Sequence, residues 1–197
     1  PEHEARQRAW EMLDKDGELF YLPLPKQVEL EEAIASQDYG FICIGGPRAF
    51  GKSHTLRVIN YRYAAKFEYF KAYLIRREYG QLIKNHTIDA ARESKRLGFK
   101  WANMTATFAN DSFVKFDHCQ DPLDWKNFIG ANADLITFDQ LEQFIRRQFT
   151  EIAGAVARLR RDGWPGLILA GENPGGRANF NLSGLLLRPE DDPVALA

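Results

Sequence analysis

Short runs that are almost wholly apolar recur along this chain between longer stretches of helical period. Residues 41–44, 72–75, 135–138 and 166–170 are such runs, each bounded by polar or turn-forming residues. A segment with no polar face leaves nothing for water, so these runs predict strands buried on both faces of a parallel sheet. Between them, residues 27–35 carry Val28, Leu30 and Ile34 at helical spacing. Residues 52–70, 79–97 and 143–161 read as further helices. Ahead of them, residues 4–13 fit a short amphipathic helix that the proline-bearing stretch 20–25 breaks. Over residues 105–116 the period changes to two around Asn110-Asp111, which predicts a β-hairpin. Strands alternating with helices make an α/β three-layer sandwich around a mostly parallel central sheet, with a small β-hairpin inserted.

Length and composition narrow this picture. A chain of 197 residues buries one sizeable core, so 1–184 is read as one domain, and 185–197, rich in Pro, Asp and Ala, as a weakly ordered tail. The formal net charge of -1 excludes a wholly basic coat and leaves room only for local basic patches. Cys43 and Cys119 belong to no CxxC or Cys/His cluster and read as reduced thiols near the core. No stretch approaches the roughly 18 apolar residues of a membrane span. The charged N-terminus lacks the apolar centre of a signal peptide. A soluble protein acting in a cytoplasm, with no membrane partner, is the expectation.

The candidate chemistry starts directly after the first buried run. Gly46, Pro47, Arg48, Ala49, Phe50, Gly51, Lys52 and Ser53 satisfy G-x-x-x-x-G-K-[ST] between a strand and a helix. Glycines there let backbone N–H groups converge on phosphate oxygens, and the helix N-terminus adds its positive end. Nucleotide contacts are expected across this loop and on to His54. Lys52 is expected to bridge the outer phosphates of ATP and Ser53 to ligate Mg²⁺. The run 135–138 ends in Asp139, which suits the second ligand of that cation. Gln140 follows, where an ATPase of this layout needs a carboxylate to take the proton of the attacking water. Either this is a natural variant served by another base, for which Glu142 is nearest, or a Glu-to-Gln replacement that traps bound nucleotide. The near-isosteric pair and the otherwise complete loop favour the replacement. Both predict that the chain binds ATP better than it cleaves it.

Four segments then resemble one family. These are the phosphate loop with Arg48 in its second variable position, residues 73–79 (Tyr-Leu-Ile-Arg-Arg-Glu-Tyr), residues 133–140 (Ala-Asp-Leu-Ile-Thr-Phe-Asp-Gln), and residues 170–176 (Ala-Gly-Glu-Asn-Pro-Gly-Gly). Together they resemble, in order and over roughly residues 20–178, the ATPase domain of the large terminase subunit of tailed bacteriophages. The resemblance implies a P-loop NTPase fold of the additional-strand type. It also implies a motor that moves double-stranded DNA into a procapsid in the host cytoplasm, as a homo-oligomeric ring beside a portal protein and a small terminase subunit. Gln27, after Leu22-Pro23-Leu24-Pro25-Lys26, resembles the adenine-reading residue, and Asn173 the γ-phosphate-sensing residue of the coupling motif.

The chain departs from the family in three ways. It has no nuclease-like carboxylate cluster, it carries Gln140, and Ile129 stands before Gly130 where relatives carry an arginine. The arginine that stabilises transferring phosphate is then sought at Arg48 in cis, or at Lys126, Arg146 or Arg147. DNA phosphates would meet basic clusters such as Arg92, Lys95 and Arg96, or Arg158, Arg160 and Arg161. A helicase-like ATPase or a nucleotide-dependent assembly module are the rival readings. The Ser-Ala-Thr run expected of the former is absent from the sequence.

Overall fold

The computed structural model describes residues 2–46, 50–156 and 164–173. Its frame is a sheet of seven strands in the order β3-β9-β8-β4-β7-β6-β5. Here β3 is Phe41–Gly45, β4 Lys71–Arg76, β5 Lys100–Ala102, β6 Thr105–Thr107, β7 Phe113–His118, β8 Leu135–Asp139 and β9 Leu167–Glu172. Strands β3, β9, β8, β4 and β7 run parallel, while at one side β6 is antiparallel to β7 and β5 antiparallel to β6. One strand, β9, lies between the strand before the phosphate loop and the one ending in Asp139, as the additional-strand arrangement requires.

Alternation along the buried strands builds two cores. Ile42, Ala72, Leu74, Leu135, Leu167 and Leu169 face one side, where they pack with Leu56 and Ile59 of α3 (Lys52–Lys66). Phe41, Cys43, Ile75, Ile136, Phe138, Ile168 and Ala170 face the other, with Phe128, Phe144 and Ile152 of α6 (Arg146–Ala153). A strand apolar at every position is therefore read by both layers. The parity also decides the site. Ala72, Leu74 and Arg76 share the α3 face, as do Leu135, Thr137 and Asp139. Asn60 of α3 donates to Thr137 Oγ1 at 2.8 Å and so fixes α3 on that face.

The structure corrects several expected boundaries. The first helix, α1 (Glu2–Ala9), ends before Met12, and Met12–Leu13 (β1) pairs instead with Leu19–Tyr21 (β2). Between them Asp14 accepts the N–H groups of Asp16 and Glu18, and Gly17 takes a left-handed φ of 81°, a local turn that competes with the helix. Helix α2 (Pro25–Ser36) forms as expected. Helix α3 stops at Lys66 rather than 70, because the Asn110 amide takes up the carbonyls of Ala64, Ala65 and Phe67. The hairpin is present, but as the continuation of the main sheet through β7 rather than as a separate insertion. It has an unanticipated third strand, β5, joined to β6 by Asn103 and Met104, both with positive φ. The stretch 79–97 is α4 (Tyr79–Leu82) and α5 (Ile88–Leu97) joined by a π-helical turn, Ile83–Thr87. Helix α6 begins at Arg146, after a 3₁₀ turn over Leu141–Gln143, and ends at Ala153. Cys43 and Cys119 are buried free thiols. Among the described residues no helix is long and apolar enough to cross a membrane.

Glu31 of α2 is fully buried, and neither carboxylate oxygen has a hydrogen-bond partner among the described residues. Burial pushes its carboxyl up to about 7, with Arg62, 3.6 Å away, opposing only in part. A raised folded-state value means that its contribution is fully present below about pH 4.5 and is lost as pH rises through 7. Glu31→Gln is therefore expected to leave stability nearly unchanged at pH 4 and to raise it by about 3 kcal/mol at pH 8. Urea unfolding at the two pH values checks this, and an equal difference at both would refute it.

Candidate functional site

The parallel register brings the C-terminal ends of the strands to one edge of the sheet. Gly45 lies opposite Glu172, Asp139 opposite Gly171, and Arg76 opposite both Asp139 and His118. Such an edge is where ligands bind in open α/β sheets, and α3 points its N-terminus at it. That terminus is entered through Gly51, whose φ of 71° suits a residue without Cβ; an added Cβ would meet the Gln27 amide nitrogen at 3.3 Å.

Lys52 and Ser53, in the first turn of α3, are turned toward the sheet edge. The Lys52 ammonium donates to the Gly46 carbonyl at 2.7 Å and thereby spans the phosphate loop. Burial lowers its pKa, while the charges of Asp139 and Glu142 oppose the fall. The Ser53 hydroxyl donates to Asp139 Oδ2 at 3.0 Å, so the two expected cation ligands are adjacent. Asp139 is buried, and desolvation alone would raise its carboxyl. His86 at 2.7 Å, Arg76 at 3.5 Å and Ser53 outweigh that and hold it below the usual carboxylate range. Among the described residues no three His, Cys, Asp or Glu side chains are grouped to hold a metal ion. The two hard oxygen donors fit Mg²⁺ in the mode that completes its shell with substrate phosphate and water rather than with a protein cage.

Several predicted residues take positions that the sequence did not specify. Gln27 is buried; its amide oxygen accepts the Leu24 N–H at 2.7 Å, and its nitrogen donates to the Phe50 carbonyl at 3.2 Å. In this structure it ties the segment before α2 to the end of the phosphate loop. His54 is half-exposed and packs edge-on against Phe20 and Tyr21, so β2 walls the loop on that side. Gln140 adopts a left-handed φ of 62°, and its amide oxygen accepts from the Gln143 side chain at 2.8 Å. Glu142 is buried at the same edge and receives both the backbone N–H of Asn173, at 3.2 Å, and its side-chain amide, at 2.9 Å. The alternative base and the expected coupling residue are thus one hydrogen-bonded unit. Pro47, Arg48 and Ala49 lie outside the described residues, as do Pro174, Gly175, Gly176, Arg158, Arg160, Arg161 and the tail 185–197.

Of the other basic candidates, Arg96 is occupied within the fold. It bonds Asp14 and lies over the Phe20 ring, 5.1 Å from its centroid. Lys126 and Arg147 both approach the Trp125 ring, and Arg147 also stands 3.8 Å from Glu151.

The sequence reading missed the layer behind Asp139. Arg76 ends β4 and Arg77 follows it: Arg76 approaches Asp139, whereas Arg77 donates to the Gln143 carbonyl at 2.7 Å and braces the turn after Asp139. His86 is wholly buried, with Arg57 on its far side. A usable signal was present, because His86, Asp89 and Glu93 put polar groups at i, i+3 and i+7 of a helix whose sheet-facing side should be apolar.

No protein-family model matches the sequence, and no curated protein matches it. Solved structures do match. A large terminase from a thermophilic bacteriophage superposes with a TM-score of 0.61 at 17% identity, over 76% of this chain and 38% of that one. The same phage terminase in complex with ADP gives 0.56 at 18% identity, over 75% and 37%. The N-terminal domain of the DNA packaging ATPase from bacteriophage phi29 gives 0.51 at 14% identity, over 81% of each chain. The chain has a terminase-ATPase-like fold. It spans 38% of the length of the thermophilic phage's terminase. At these identities the likeness concerns the path of the backbone, and the side chains of the terminase-like sheet edge have to be judged on their own geometry.

That geometry makes Gly171 a test of the edge. A Cβ there would meet Leu56 Cδ1 at 3.0 Å and Asp139 Oδ1 at 3.6 Å, whereas one at Gly45 meets nothing within 4 Å. Because Leu56 is fully buried and its methyl would have to give way, Gly171→Ala is expected to destabilise the fold by about 1–3 kcal/mol. Gly45→Ala should stay within about 0.5 kcal/mol; equal effects in urea unfolding would refute the packing argument.

Proposed function

We propose that the chain is the ATP-binding and hydrolysing domain of a motor that drives double-stranded DNA into a procapsid. The observation that carries this reading is the meeting of Lys52, Ser53 and Asp139 at the strand ends, with Ser53 3.0 Å from Asp139. A lysine, a hydroxyl and a carboxylate at a helix N-terminus form a receptor for a magnesium-bound triphosphate and suit few other ligands. The neighbouring solved folds, an ADP complex among them, support the same reading.

In this reading Lys52 leaves the Gly46 carbonyl to hold the outer phosphates, and Ser53 and Asp139 hold Mg²⁺. When bound, the cation neutralises the charge that gathers on the transferring phosphoryl group. Arg48 is the first candidate for a further positive charge there. Gln27 would read the adenine, exchanging its bond to Leu24 or Phe50 for bonds to the base. Asn173, held by Glu142, would sense the γ-phosphate and pass its presence to β9. The remaining elements of the proposal are a homo-oligomeric ring, a portal protein, a small terminase subunit and action in the host cytoplasm. One observation favours a second reading, a nucleotide-binding assembly module with impaired hydrolysis: Gln140 is an amide and is already bonded to Gln143.

Two measurements separate these. Lys52→Ala should weaken binding of a fluorescent ATP analogue by about a hundredfold or more, near 3 kcal/mol, with the fold intact by circular dichroism. Retained tight binding would show that the phosphate site lies elsewhere. Gln140→Glu should raise ATP turnover by about 10² to 10⁴, the range of a positioned general base. If turnover stays at the level of the unaltered chain even with DNA and portal present, the assembly reading replaces the motor.

A further inference from the structure

The His86 imidazole is wholly buried, with one nitrogen on each side of a polar contact. Its Nε2 lies 2.7 Å from Asp139 Oδ2, and its Nδ1 lies 3.3 Å from Arg57 Nη1. A guanidinium only donates. Nδ1 must therefore accept, which leaves the ring proton on Nε2, aimed at the carboxylate. Arg57 cannot turn away, because Nη1 also donates to the Asn85 carbonyl at 2.8 Å, Nε and Nη2 grip Glu93, and Nη2 reaches Asp89. Glu93 is fixed in turn by the Tyr61 hydroxyl at 2.9 Å. The π-helical turn Ile83–Thr87 carries His86 between α4 and α5, on the side of the sheet where Asp139 points. Ser53 and Arg76 approach the same oxygen, which leaves Oδ1 on the side of Gly171.

We infer that His86 is a positioning residue: held in its neutral Nε2–H form by Arg57, it fixes the Asp139 carboxylate in the orientation that receives a nucleotide-bound divalent cation. This inference rests on the nucleotide-site reading and adds to it a polar layer behind the cation ligand. Outer partners that orient a ligating group commonly change metal affinity by 10- to 100-fold.

The quantity that isolates this role is the ratio of ATP affinity with Mg²⁺ to ATP affinity in EDTA, measured by calorimetry on the full chain. A merely structural defect lowers both affinities together; loss of positioning lowers the ratio. His86→Asn is expected to cut the ratio about tenfold or more, since the shorter amide cannot reach Asp139. His86→Gln, whose amide nitrogen can stand near the place of Nε2, should stay within about threefold of the parent. Equal ratios for parent, Asn and Gln chains would overturn the assignment while leaving the nucleotide site intact. A parent with no magnesium-dependent gain would overturn both. Long-range ¹H–¹⁵N correlation of the unaltered chain gives an arm that needs no variant: a proton on Nε2 alone is expected, and a proton on Nδ1 overturns the proposal.

Discussion

An ionised carboxylate at the end of a buried strand is the constraint around which this site is arranged. Removing Asp139 from water would cost several kcal/mol if it were left unpaired. The fold surrounds it with the Ser53 hydroxyl, the His86 imidazole and the Arg76 guanidinium. Each of these partners comes from a different element: α3, the π-helical turn and β4. Their convergence depends on strand parity, since Asp139 and Arg76 must share the face on which α3 packs. A register slip of one residue in β8 would place Phe138 there instead and leave the carboxylate among the apolar side chains of the opposite core.

The same requirement explains the polar interior of α5. A helix lying on a sheet normally turns an apolar stripe inward, yet here Glu93 is buried with Arg57, Tyr61 and His86. Arg57 joins the two halves of that network, being bonded on one side to the carboxylates of α5 and on the other to the imidazole that reaches Asp139. A buried network is stable only when its members are satisfied, and here each charge has a near partner of opposite sign. At the same edge Glu142 holds the residue that follows β9. It receives two N–H groups of Asn173 and fixes the direction in which the chain leaves the sheet.

Much of the central frame was legible from residues alone. Continuous apolar runs identified β3, β4, β8 and β9, because a strand covered on both faces needs no polar positions. The G-x-x-x-x-G-K-[ST] motif over residues 46–53 could be read because its glycines, lysine and serine are adjacent in the chain. Less legible were short elements whose signal is a turn rather than a period. The β1–β2 pair depends on Asp14 and Gly17, and β5 is three residues long with a two-residue turn before β6. The ends of α3 and α6 were misjudged for a related reason: Asn110 halts α3 from more than forty residues away, and no local pattern announces that.

What the sequence determined by itself is what neighbouring residues decide: which runs must be buried and where a helix N-terminus follows a glycine-rich bend. Tertiary structure alone decided which distant groups share a face. It paired Ser53 with Asp139, set His86 and Arg57 behind them, joined Glu142 to Asn173, and engaged Gln27 and Arg96 within the fold. The physical reason is that hydrophobic periodicity reports only whether a position meets water. A hydrogen bond requires two specific groups within about 3 Å, and for residues dozens of positions apart only strand register and helix packing set that distance.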